Sequence, residues 1–87
     1  MIKFANKPVV GMDVVLSKPV ELWQEQELWT GNAGKVSIVR EDEIVVRFED
    51  IVSDKSGHLY NDYVTVGLED LPETFEEFTD YEIVDDE

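Results

Sequence analysis

The sequence contains no cysteine, which excludes a disulfide framework and a thiolate metal site. No apolar run approaches the roughly eighteen residues that a membrane-spanning helix needs, so no membrane partner is expected. Residues 1–8 lack the apolar centre of a secretory signal, and a cytoplasmic location is the expectation. Basic residues are scarce and unevenly placed. All seven Lys and Arg lie in residues 1–55, and none follows Lys55. Residues 56–87 carry eleven of the 21 acids, so the last third of the chain holds −11 of the formal net charge of −14. Such a field repels a phosphate backbone and attracts basic surfaces, so direct binding of nucleic acid is not expected.

What is present reads as one small globular domain over residues 1–87, with the tail at about 85–87 frayed. A hydrophobic fraction of 43% with 10% aromatics is enough to form a core in spite of the charge. The pattern is mostly β. Residues 9–16 are rich in β-branched side chains and read as a first strand with a bulge at Gly11. Residues 21–29 read as a long, partly extended loop that ends in the Gly31-Asn32-Ala33-Gly34 turn region.

The strongest local signal is a hairpin. Lys35-Val36-Ser37-Ile38-Val39-Arg40 alternates, Glu41-Asp42-Glu43 forms a charged turn, and Ile44-Val45-Val46-Arg47-Phe48 runs back. The alternation places Val36, Ile38, Ile44, Val46 and Phe48 in the core. A further strand spans residues 60–66. Asp70-Leu71-Pro72-Glu73 starts a helix of about two turns, with Asp70 as cap and Phe75 and Phe78 on one face. Residues 81–84 form a last short strand.

This order, with Gly31 to Val39 followed by Ile44 to Asp50, resembles the glycine–valine hairpin of the SH3-like barrel superfamily, as found in KOW-like and other translation-protein modules. The resemblance implies an all-β fold: a small SH3-like antiparallel barrel with a short helix before the last strand. The sequence lacks the Ala-Leu-Tyr-Asp-Tyr signature of signalling SH3 domains and the basic loops of ribosomal KOW domains, so neither polyproline nor RNA binding carries over.

Nothing in the sequence points to catalysis or to a cofactor. His58 is the only histidine and lies in a polar loop, and no serine sits in a nucleophile elbow. The acid runs 41–43 and 85–87 lack calcium-loop spacing, so they read as a turn and a tail and not as a metal site. The aromatics are more informative. Trp23 and Trp29 stand among Glu21, Glu25 and Glu27, and Tyr63 follows Asp62. Aromatics rimmed by acids suit a cation or a basic peptide. The expected function is therefore non-enzymatic: a binding module that docks a basic protein surface. Its partner-binding residues are Trp23, Trp29, Tyr63, Glu73, Glu76, Glu77 and Asp80. The alternative is an inhibitor that imitates nucleic acid, of the kind phages and mobile elements encode, which occupies the groove of a nucleic-acid-binding protein.

Overall fold

Valine, isoleucine and aromatic residues with period-two alternation favour pleated strands over helix, and strands dominate the computed structural model. It describes residues 2–22, 27–53 and 56–84. The expectations for Trp23 and for the tail Asp85-Asp86-Glu87 fall outside the described residues. In chain order the elements are β1 (Ile2–Phe4), β2 (Asp13–Val15), β3 (Val20–Glu21), β4 (Glu27–Leu28), β5 (Ala33–Val39), β6 (Glu43–Val52), β7 (Leu59–Gly67), α1 (Leu71–Thr74) and β8 (Tyr81–Ile83). Single 3-10 turns at Leu68–Asp70 and Glu76–Phe78 flank α1. The chain is mainly β with one short helix before the last strand, as the pattern predicts, but the described residues close no barrel. Instead a four-stranded antiparallel sheet, β2-β5-β6-β7, is accompanied by two ribbons, β1-β8 and β3-β4.

The hairpin β5–β6 closes through Arg40, Glu41 and Asp42, so Glu43 opens β6 and does not belong to the turn, and the Arg40 N–H donates to the Glu43 carbonyl at 2.9 Å. Val36, Ile44, Val46 and Phe48 are buried, as alternation requires. Ile38 is not; it is 41% exposed. The register steps from Val36↔Val46 to Ile38↔Val45, so Ser37 is one residue too many on β5. That bulge turns Ile38 onto the outer face beside Val45, because one extra residue reverses which side each later side chain takes. A second bulge lies in β6, where the register steps from Phe48↔Asp62 to Ile51↔Tyr60. It keeps Ile51 buried, at the cost of a left-handed backbone at Asp50 (φ 56°).

Other expectations change in detail. The first strand is shorter than residues 9–16, because the chain turns at Val10 and Gly11, whose φ is 92°. Past that turn the Gly11 N–H donates to the Val36 carbonyl and the Val36 N–H donates to the Met12 carbonyl, both at 2.8 Å. Two residues thus meet one, a bulge at the expected place. The segment read as a long loop contains the β3–β4 ribbon, with Val20 opposite Leu28 and Glu21 opposite Glu27. The last strand pairs with β1, an N-terminal strand that three polar-flanked residues do not announce.

The two-turn helix is interrupted. Phe75 is extended (φ −126°, ψ 141°), because its backbone forms a bridge with Leu16 of the chain leaving β2. Asp70 makes no side-chain capping bond there. The break directs both rings inward all the same. Phe75 and Phe78 are fully buried, in an edge contact with centroids 6.2 Å apart, and Phe4 adds a second edge contact to Phe78 at 5.5 Å. Together with Phe48 they anchor a core that includes Val14, Leu16, Leu28, Val66 and Leu71.

Gly34 has a packing reason to be glycine. A Cβ there would lie 2.7 Å from Val46 Cγ1 and 2.8 Å from Phe48 Cε1. Gly34→Ala is therefore expected to destabilise by about 1–3 kcal/mol through overpacking. Phe48→Ala is expected to cost about 3–5 kcal/mol through the cavity it leaves. Urea unfolding monitored by circular dichroism measures both, and a neutral Gly34→Ala would mean that the Phe48 ring does not cover β5.

Candidate functional site

The acids of the last third meet few bases in the fold. Four ion pairs occur among the described residues: Lys18–Glu73, Lys35–Asp13, Arg40–Glu43 and Arg47–Glu49. Only the first reaches an acid beyond residue 55, at 3.8 Å and between two well-exposed side chains. A pair of that kind contributes at most about 1 kcal/mol. Glu69, Asp70, Glu76, Asp80 and Glu82 are exposed and in no ion pair. The chain also brings a second source of acid to this region. The Leu68 N–H donates to the Asp42 carbonyl at 3.0 Å, which sets the β5–β6 turn beside the start of the helical segment. Glu41, Asp42, Glu69 and Asp70 then line one open concavity with Ile2, Gly67 and Leu68. Among the described residues no three acidic or histidine side chains converge closely enough to hold a metal ion.

Trp29 follows β4 and is 68% exposed. It borders a concavity of about 470 Å³ whose charged lining among the described residues is Glu27, Glu49 and Asp50, with Phe48 among its apolar lining residues. Two turns create this place. The Asn32 N–H donates to the Trp29 carbonyl at 3.1 Å, which folds the chain back into β5. The β6 bulge projects Glu49 and Asp50 out of the ladder, with the Asp50 N–H at 3.4 Å from Asn61 Oδ1. Trp29 thus stands beside three carboxylates, of which Glu49 is paired with Arg47 at 3.2 Å.

Tyr63 does not line this concavity. It is exposed on the outer face of the sheet, opposite Arg47, at the end of a cross-strand row that runs Asp13, Lys35, Arg47, Tyr63. The expected grouping of Tyr63 with Trp29 is therefore not what the register produces. His58 is exposed in the β6–β7 loop.

The four helical-segment acids separate into roles. Glu76 and Asp80 are exposed, and Glu73 pairs with Lys18. Glu77 is half-buried, and its Oε1 accepts the Val15 N–H at 2.8 Å. With the Leu16–Phe75 bridge and the Ser17 N–H donating to the Thr74 carbonyl at 2.8 Å, this contact covers the outer edge of β2. A carboxylate 62 residues away in sequence thus serves as a strand partner, which no local pattern signals. Compared with known proteins, the chain matches no family model, no curated protein and no solved structure.

Glu77→Ala leaves the Val15 N–H without its partner, and a loss of about 1–3 kcal/mol is expected, whereas Glu77→Gln, which keeps an acceptor oxygen, retains most of the stability. Denaturant titration of the two variants separates the hydrogen bond from the charge. Because the acids are uncompensated, added sodium chloride is expected to raise the melting temperature by screening their repulsion. A melting temperature that falls with salt would show the acids to be paired.

Proposed function

We propose that this domain is an acidic SH3-like module that docks a basic protein surface, seating a lysine or arginine side chain in the Trp29 concavity. The carrying observation is that Trp29 stands exposed beside a concavity whose charged lining, among the described residues, is entirely acidic. The order of strands, ribbon, hairpin and short helix supports the SH3-like assignment, with the β3–β4 ribbon in the place of the long loop that walls the groove in such modules. The uncompensated acids Glu69, Asp70, Glu76 and Asp80 supply a field that draws a cationic partner, and Trp29 supplies the apolar contact that retains it. An imitator of nucleic acid needs an acidic face with few exposed aromatics. The exposure of Trp29 and Tyr63 favours protein docking over that reading.

A ten-residue peptide rich in lysine and arginine serves as probe, titrated into a Trp23→Phe background so that Trp29 is the remaining indole. A shift of Trp29 fluorescence on binding is expected. Glu76→Lys with Asp80→Lys is expected to slow association several-fold, and Trp29→Ala to speed dissociation about tenfold or more, with the melting temperature of each variant near that of the parent. Binding of the wild-type domain to duplex DNA at physiological salt, or no response of Trp29 to the peptide, would overturn the proposal.

A further inference from the structure

A groove of opposite sign lies on another part of this acidic domain. Its walls are β1 with the following Ala5, and the end of β5 at Val39 with the following Arg40. Lys7, Pro8 and Leu68 complete it, in a volume of about 640 Å³. Among the described lining residues three are cations and none is an acid, in a chain with three acids for every base. Arg40 is paired with Glu43, but Lys3 and Lys7 are in no ion pair among the described residues. Lys3 lies opposite Glu82 on β8 and still makes no such pair. The apolar lining continues the core, since Phe4 and Leu68 pack against the buried cluster, while Val39 remains 41% exposed.

The backbone on both walls is set for pairing. Among the described residues β1 has one partner strand, β8. The Ala5 N–H donates to the Asp80 carbonyl at 3.0 Å, and Lys3 shares its parity. Ile2 and Phe4 therefore turn their N–H and C=O groups away from β8, toward the groove. On β5 the Arg40 N–H is directed at β6, so Val39 turns its own backbone groups away from β6. The β2 ladder has ended before that point, because its last contacts with β5 are at Val36. An unpaired strand edge next to apolar side chains is a template for another strand.

We propose that this groove captures an extended segment of a partner protein in which acidic and apolar residues alternate, added as a strand to β1. The partner's apolar side chains pack on Phe4, Val39 and Leu68. Its carboxylates meet Lys3, Lys7 and Arg40. The inference is independent of the Trp29 site, which is acidic and takes the opposite charge.

The probe is a nine-residue peptide of alternating glutamate and valine, measured by fluorescence anisotropy and by amide exchange of the full domain. Binding is expected to slow exchange of the Phe4 amide. The Lys3→Ala/Lys7→Ala double variant is expected to bind about tenfold more weakly and to keep the parent's circular dichroism spectrum, because both side chains are exposed. The same peptide with two central prolines is expected to lose binding by more than tenfold, because proline cannot donate to a ladder. A lysine–valine peptide is expected to leave Phe4 exchange unchanged even where it binds at Trp29. Equal affinity for the proline peptide, unchanged affinity of the double variant, or no protection of Phe4 would overturn the proposal. So would a concentration-dependent increase in size that the double variant abolishes, since the groove would then belong to a second copy of this chain.

Discussion

Three phenylalanine rings have to be covered by a chain that carries a net charge of −14, and the architecture follows from that requirement. Phe48 comes from the middle of the sheet, and Phe75 and Phe78 come from the helical segment. A domain of this length buries only about 60–65% of its unfolded surface, so each large ring accounts for much of the core. The sheet accommodates Phe48 by leaving no Cβ at Gly34. The helical segment accommodates its two rings by breaking at Phe75, which then pairs with Leu16. The same closure brings Glu77 onto Val15 and seals the edge of β2. Core packing, the interrupted helix and edge protection are thus one solution to one constraint.

The charge pattern is the complement of that solution. With the rings inside, the acids around them are forced to the surface, and the fold supplies few bases opposite them. Of the six described cations, Lys35 and Arg47 stand on the outer face of the sheet, Lys18 meets Glu73, and Lys3, Lys7 and Arg40 line the groove beside β1. The surface is therefore partitioned and not uniformly acidic. Long-range attraction is set by the net charge, whereas recognition at contact is set by local chemistry, and these have different signs at Trp29 and at β1. Among the described residues the domain thus presents two open concavities whose charged linings are of opposite sign.

Much of the fold was legible from local pattern. The β5–β6 hairpin was readable because Val36, Ile44, Val46 and Phe48 alternate on either side of a charged turn. Ile38 was not, because the bulge at Ser37 depends on how β5 meets β6 over their length and leaves no mark in composition. The candidate site divides the same way. Trp29 among acids was visible as an aromatic in an acidic segment, but its neighbours Glu49 and Asp50 reach it only through the β6 bulge. Tyr63 looked equivalent to Trp29, and its register opposite Arg47 placed it elsewhere.

By itself the sequence determined the β class, the β5–β6 hairpin, the short helix before the last strand and the excess of acid in the last third, since these depend on residue type and on near neighbours. Tertiary structure alone decided which side of a strand each residue takes after a bulge, that Glu77 serves as a partner for Val15, and that β1 and the end of β5 enclose a cationic groove. The reason is physical. Side-chain parity and long-range hydrogen bonds are set by where distant segments meet, and a one-residue slip in that meeting reverses inside and outside.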